Sequence, residues 1–288
     1  MMELKVKQLI LFFFAALLLL GCASNGTDEA PELPNEEPDD SEEVSLAPEL
    51  DEDDSIDNDA EDEEIDSAAN LEEEFEMNYE VNQVTWTVEP INEEVTEQVV
   101  LLTIDDAPDK HALEMAQVLA DLDAPAIFFV NGHFLQTEDQ RQVLKQIFDL
   151  GFMIGNHTYS HPNLNELTEE EQRKEIVELN NLVEDIIGER PKFFRAPFGV
   201  NTDSSNQIVE EENMVKMNWT QGHDWEAEYQ DKDALVNATL SAPELRNGAN
   251  LLMHDRTWTY EALPEIVEGL REQGYKIINP KQIQTLAN

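Results

Sequence analysis

From Val99 onward the chain alternates short apolar, β-branched runs with longer amphipathic stretches. The runs Val99–Ile104, Ala126–Val130, Phe152–Gly155, Lys192–Phe194, Met214–Trp219, Asn250–Met253 and Lys276–Ile278 predict strands. Helical patterns fill the gaps, at Ala112–Leu122, Glu138–Leu150, Glu169–Ile187, Ser205–Glu212, Lys232–Leu240 and Glu261–Gln273. Leu113, Ala116, Leu119 and Ala120 recur at helical spacing, which predicts a face turned toward the sheet. Thr168-Glu169-Glu170-Glu171 has the form of a capping box, and Gly151, Gly188 and Gly274 stand where helices should end. Strands alternating with helices imply right-handed βαβ units and a parallel sheet. Seven strands in roughly 190 residues predict an α/β fold, a distorted, incomplete (β/α)7 barrel, with an open doubly wound sheet as the alternative. Val84-Thr85-Trp86-Thr87-Val88 predicts one further strand ahead of the barrel.

The residues before this region follow a different pattern. Lys5 and Lys7 precede an apolar run from Leu9 to Leu20, too short for a comfortable membrane span and typical of the core of a signal peptide. It ends in Leu19-Leu20-Gly21-Cys22, which resembles the bacterial lipoprotein processing box, where the cysteine becomes the lipidated N-terminus. Cys22 is the only cysteine in the chain, so no intramolecular disulfide can form. An ordinary secretory signal or an uncleaved anchor are the other readings, and all three place the remainder outside the cytoplasm. Residues 23–80 carry 26 acidic side chains and no Lys or Arg, so they cannot bury enough apolar surface to order themselves. The expected organisation is a signal peptide at 1–21, an acidic disordered tether at 22–80 and a folded domain at 81–288. As an ideal coil such a tether would span about 40–45 Å, and self-repulsion would extend it. An acidic interaction tail is the rival reading of the same stretch. Of the net charge of -47, residues 81–288 carry 37 acidic against 15 basic side chains, an excess that argues against a nucleic-acid partner, which needs a basic footprint.

In a β/α barrel the active site gathers at the carboxyl ends of the strands. The first strand ends in Asp105-Asp106, and adjacent carboxylates at the end of a buried run need cations to stay ionised. The third runs into His157-Thr158-Tyr159-Ser160-His161, and the fourth into Arg195-Ala196-Pro197-Phe198-Gly199. The fifth is followed by His223-Asp224-Trp225 and the sixth by His254-Asp255. His157 and His161 are four apart, so a helical turn would set both imidazoles on one face, as zinc ligands require. Two histidines and one carboxylate make a three-ligand divalent metal site with an open position for water. One acid of the pair would then be neutralised by metal. The other needs a second cation, for which Arg195 is the candidate, and it would remain ionised and ready to take a proton.

Thr103-Ile104-Asp105-Asp106, His157-Thr158-Tyr159-Ser160-His161, Arg195-Ala196-Pro197-Phe198-Gly199, Asp224-Trp225 and Leu251-Leu252-Met253-His254-Asp255 occur in this order. They resemble the five motifs of the polysaccharide deacetylase family, the NodB-homology carbohydrate esterases of family 4, over about Val99 to Pro280. The resemblance implies a metal-dependent N-deacetylase of acetylated glycans, with zinc or cobalt. It implies Asp105 as general base, with Asp106, His157 and His161 as metal ligands. Arg195 would orient the base, and His254, tuned by Asp224, would protonate the leaving amine. The backbone N–H of Phe198 would help hold the oxyanion, while Trp225 and Leu251 would line the acetyl groove. The family's first motif continues with glycine where this chain has Ala107, and alanine resists backbone angles open to glycine, which predicts an altered turn. His133 and His223 are expected at the cleft, outside the metal set. Trp258 and Tyr260 are candidates for sugar stacking, with surface packing as the alternative.

The expected protein is a hydrolase, lipid-anchored at the extracytoplasmic face of the cell membrane. Its favoured substrate is peptidoglycan N-acetylglucosamine, followed by poly-N-acetylglucosamine or chitin oligomers, then an acetyl ester such as acetylxylan. A non-catalytic glycan-binding lipoprotein is the rival class, since a fold does not guarantee its usual function.

Overall fold

The computed structural model describes residues 75–286; the signal segment, Cys22 and nearly all of the expected tether lie outside the described residues. The chain opens with a hairpin, β1 (Tyr79–Val81) and β2 (Val88–Pro90), paired antiparallel. The expected strand at Val84–Val88 is instead mostly the turn between them. Asn82 causes this: its Oδ1 accepts the N–H groups of Val84 and Thr85, and its carbonyl accepts that of Trp86, which sits at φ 62°. An Asx turn thus outweighs the β propensity of the valines and threonines.

Among the described residues, seven strands form one parallel sheet. They are β3 (Val99–Ala107), β4 (Ala126–Val130), β5 (Met153–Asn156), β6 (Phe193–Phe194), β7 (Val215–Lys216), β8 (Ala249–His254) and β9 (Lys276–Ile277). The order runs β7-β6-β5-β4-β3-β8, with β9 also on β3. Its two ends meet through a single parallel bridge between Gln221 and Leu251, where Leu252 N–H donates to the Gln221 carbonyl at 2.7 Å. The sheet is therefore a curled half-barrel of the distorted (β/α)7 kind, closed by one bridge. The strand expected over Met214–Trp219 shrinks to two residues at β7, on this weakly closed side.

Helices α1 (Ala112–Asp121), α2 (Glu138–Asp149), α3 (Glu169–Ile187), α4 (Asp203–Glu211), α5 (Lys232–Ser241) and α6 (Thr257–Glu272) connect the strands. Thr137, Thr168 and Thr202 each close a capping box, and Gly188 ends α3 in the left-handed conformation at φ 81°. The buried stripe of α1 is Ala112, Met115, Ala116 and Leu119; Leu113 and Ala120, expected on that face, are only half-buried beside it. Helix α6 begins a turn earlier than its pattern predicts, so Trp258 and Tyr260 are helical rather than on a loop.

Strand β3 is the hub. Its residues alternate between two apolar layers: Val100, Leu102 and Ile104 pack with the helices, while Val99 and Leu101 pack inside the barrel with Ile127, Phe129 and Phe193. Burial on both faces explains why it reads as one unbroken apolar run. Each such side chain contributes about 1.5–3 kcal/mol when buried. On the inner face the next two positions are Thr103 and Asp105, which places chemistry where the apolar layer stops.

Candidate active site

Regular alternation would send Asp105 into the barrel and Asp106 out toward the helices. The register against β4 breaks there: Ile104 pairs with Phe128 and Ala107 with Val130, so β3 spends three steps where β4 spends two. This bulge, with Asp106 at φ 61°, turns the second carboxylate back to the strand end, so both acids serve one site. Ala107, expected to strain the turn, has no positive φ; it completes β3, and its methyl is buried in the helix-side core. The left-handed residue is the aspartate before it.

Asp105 is buried and pairs with Arg195, whose Nη1 donates to Oδ1 at 2.7 Å. The guanidinium is fully buried. It also donates to Thr103 Oγ1 at 2.8 Å, the Asn218 carbonyl at 2.9 Å and Asn250 Oδ1 at 3.2 Å, and its Cζ lies 4.4 Å above the Phe129 ring. Gly155 lets Phe129 sit there, because a Cβ at that position would lie 2.5 Å from the ring. Burial lowers the pKa of Arg195, and the Asp105 charge and hydrogen bond oppose that shift.

Asp106 faces the histidines. Its Oδ1 is 3.4 Å from His161 Nε2 and 3.8 Å from His157 Nε2, and its Oδ2 accepts from Arg256 Nη2 at 2.8 Å. Burial opposes its ionisation, but the charges of His157, His254, His161 and Arg256 outweigh this and lower its pKa. His161 is shifted downward by burial and by His157, so at neutral pH it is held in the unprotonated form a metal requires.

The two histidines do not share a helical turn, as their spacing predicts. The segment is a loop in which Thr158 and His161 adopt φ of 67° and 60°. Asparagines hold it: Asn131 Nδ2 donates to the carbonyls of His157 and Thr158, and Asn156 Oδ1 accepts from Thr158 N–H. Glu175 on α3 accepts from Ser160 N–H and Oγ. His157 Nδ1 lies 2.7 Å from the Arg195 carbonyl, which can only accept. A ring proton therefore sits on Nδ1, and Nε2 faces both acids, 3.5 Å from Asp105 Oδ2 and 3.8 Å from Asp106 Oδ1. Asp106, His157 and His161 offer one ligand atom each, all within 4.8 Å of one another, among the described residues. Two imidazole nitrogens and one carboxylate oxygen suit zinc or cobalt and leave coordination positions free.

Across the site, His254 ends β8 opposite Asp105 in the register. Its Nδ1 is 2.7 Å from Asp224 Oδ1, and its backbone N–H donates to Asp224 Oδ2 at 2.6 Å. Thr259 Oγ1 also donates to that oxygen, and Trp258 Nε1 donates to the Asp224 carbonyl. Burial disfavours the imidazolium, but the bond to Asp224 and the charges of Asp224, Asp105 and Asp106 outweigh it and raise the pKa of His254. Nδ1 is committed to Asp224, which leaves Nε2 as the edge able to deliver a proton.

Aromatic side chains edge the site. Phe198 is 64% exposed with its ring 4.9 Å from His161, and Trp225 is 46% exposed with its ring 5.6 Å from His254. Leu251 does not join them. It lies in the helix-side core with Met253, whereas Asn250 reaches Arg195 and His254 reaches Asp224 on the inner face. Period-two alternation makes Leu252, not Leu251, the neighbour that shares the face of His254. His133 packs at a tilt against Phe134, His223 packs against Tyr229, and Tyr260 stacks on His111.

Three residues without a predicted role hold the site together. Asp255, fully buried, accepts the backbone N–H groups of Asp109, Lys110, His111 and Ala112 and so ties β8 to the loop after β3. Asn131 holds the histidine loop. Arg256 contacts Asp106, and its signal in the sequence was a cation next to His254-Asp255 in a strongly acidic chain.

A family model described as polysaccharide deacetylase matches residues 92–216. A peptidoglycan-N-acetylglucosamine deacetylase of Bacillus cereus is 30% identical over 196 residues, covering 65% of this chain and 68% of that one. Among solved structures, the peptidoglycan deacetylase PdaC of Bacillus subtilis is 28% identical, with a TM-score of 0.57 over 65% of this chain and 91% of that one. A family 4 carbohydrate esterase pseudoenzyme of Bacillus anthracis is also 28% identical, with a TM-score of 0.59 over 66% and 68% of the two chains.

Proposed function

The chain belongs to the polysaccharide deacetylase family, and from that premise we propose that it hydrolyses N-acetyl groups of a cell-surface glycan, releasing acetate and leaving a free amine. The observation that carries this is the division of the carboxylate pair: Asp105 Oδ1 is claimed by buried Arg195, leaving Oδ2 toward His157, and Asp106 Oδ1 joins both imidazole nitrogens in one ligand cluster.

Asp106, His157 and His161 would hold a divalent metal, zinc or cobalt by the chemistry of the donor set. Such an ion supplies Lewis acidity toward the acetamide carbonyl and toward an attacking water. Asp105, with Oδ1 occupied by Arg195, takes the water's proton on Oδ2. Arg195 pairs with that carboxylate inside a site where an unpaired charge would be costly. His254, protonated and oriented by Asp224, gives a proton from Nε2 to the leaving nitrogen, which departs as an amine. The Phe198 backbone N–H serves the oxyanion, and the exposed rings of Phe198 and Trp225 offer apolar surface to the sugar and its acetyl group.

Peptidoglycan N-acetylglucosamine is the substrate we favour, since a membrane-tethered enzyme on a long acidic arm meets the wall first. Lipidation at Cys22 and attachment to the extracytoplasmic face belong to the same proposal. Poly-N-acetylglucosamine and chitin oligomers follow. The likeness to a pseudoenzyme supports a second reading, a glycan-binding protein without turnover. Against it stands the complete set of chemical groups described above.

The test is to count acetate and new amine together on isolated peptidoglycan and N-acetylglucosamine oligomers, with chelator and after metal is restored. Equal, chelator-sensitive amounts support the proposal. Glycan binding with no acetate from any substrate would establish the second reading, and acetate without amine would make the protein an esterase.

A further inference from the structure

Arg256 has no part in the chemistry above, yet its guanidinium touches a metal-facing carboxylate. It stands two residues after β8, at the N-cap of α6. Nη2 donates to Asp106 Oδ2 at 2.8 Å, Nη1 donates to the Asp255 carbonyl at 2.9 Å, and Nη1 lies 3.7 Å from Asp109 Oδ2. The other oxygen of Asp106, Oδ1, is the one that faces His157 and His161. The two oxygens of one carboxylate are thus divided between a guanidinium and the imidazole pair.

A simpler account would make Arg256 a structural tie between the ends of β3 and β8. Asp255 already supplies that tie through four backbone N–H groups, so the loop is held without Arg256. A reader of substrate anions is a second account, but the guanidinium is already engaged by Asp106 and flanked by Asp109. Asp106, by contrast, needs steering. It sits at a bulge in the left-handed region, its side chain is 17% exposed, and either oxygen can approach a cation.

Resting on the reading of Asp106, His157 and His161 as metal ligands, we propose that Arg256 is a positioning residue for that site. It claims Oδ2, so that Asp106 presents Oδ1 alone to the metal and the remaining coordination positions stay open for water and substrate. Two effects of opposite sign compete. The positive guanidinium repels a divalent ion, whereas fixing the ligand in its binding rotamer favours uptake. Partners that orient a metal ligand typically account for about 10–100-fold in metal affinity, and that effect is taken to dominate here.

The experiment uses the metal-free full chain as wild type, Arg256→Lys and Arg256→Met. Zn2+ affinity is measured against a chromogenic chelator, coordination from the visible spectrum of the Co2+-loaded proteins, and folding from the thermal midpoint without metal. The expected result is about 10–100-fold weaker Zn2+ binding by Arg256→Met, with Arg256→Lys in between. The Co2+ bands of Arg256→Met should also weaken toward a higher coordination number as Oδ2 joins the ion. Arg256→Met binding Zn2+ as tightly as wild type, or more tightly, overturns the inference. So does a raised KM with unchanged metal affinity, which would make Arg256 a substrate contact. A wild-type chain that takes up neither ion instead overturns the metal reading itself, and this inference with it.

Discussion

Arg195→Met keeps much of the side chain's bulk and removes its charge, which isolates the pair at the centre of the barrel. The Arg195 and Asp105 side chains are 0% and 3% exposed and meet at 2.7 Å, so water screens neither. Of the other partners, Thr103 still donates to the Leu251 carbonyl and the Asn218 carbonyl still accepts from Asn250, while Asn250 Oδ1 loses only a long bond of 3.2 Å. The cost therefore falls on Asp105, left buried without its cation. Breaking such a pair from one side costs about 3–5 kcal/mol. At about 2–4 °C per kcal/mol for a domain of this size, Tm should fall by about 6–20 °C. Asp105→Asn should cost a similar amount, because Arg195 is then the orphan. The double variant Arg195→Met/Asp105→Asn removes both charges, and its cost should be smaller than the sum of the singles by at least about 2 kcal/mol. The assay is urea unfolding with chelator present, so that no metal substitutes for the lost guanidinium. Singles costing under about 1 kcal/mol, or costs that add within about 0.5 kcal/mol, would refute the reasoning.

Asp224→Asn removes the main influence raising the pKa of His254. The general acid must be protonated to act, so the basic limb of kcat against pH should move to lower pH; an unmoved limb would reassign the proton donor. Asp255→Ala frees four backbone N–H groups. It should cost at least the about 1.5–3 kcal/mol of one hydrogen bond to a charged acceptor and speed amide exchange at Asp109 to Ala112. Unchanged exchange there would count against the anchor. Trp225→Ala should raise KM for glycan oligomers more than it lowers kcat, and a selective loss of kcat would point to a role in holding His254.

The parts of the fold legible in the sequence are those where one physical signal acts alone. Strand β3 is apolar throughout because both its faces are buried, and its end is marked by the abrupt change to Asp105-Asp106. Four of the five polar clusters were visible at strand ends for the same reason; His223-Asp224 stands beyond the shortened β7, after the Gln221 bridge. Features that depend on one residue shifting the backbone were not. Asn82 converts a strand-like run into a turn, and the bulge after Ile104 lets two consecutive acids face one site, against the alternation that sequence reading assumes. Left-handed residues at Thr158 and His161 replace the helical turn expected between the histidines. The phase of β8 decides that Leu252 and not Leu251 shares the face of His254, and a run of consecutive apolar residues conceals that phase. The concern over Ala107 attached to the wrong residue, since Asp106 takes the unusual conformation.

The central claim is that the two adjacent carboxylates have separate duties, and one paired measurement tests it. Asp105→Asn and Asp106→Asn are purified as full chains, metal per chain is measured after loading with Zn2+, and deacetylation is assayed on N-acetylglucosamine oligomers. Asp105→Asn should keep the wild-type metal content while losing turnover by about 10²–10⁴-fold, the usual contribution of a general base. Asp106→Asn should lose the metal and the activity together. If Asp105→Asn empties the site and Asp106→Asn retains the ion, the division proposed between the two acids is wrong.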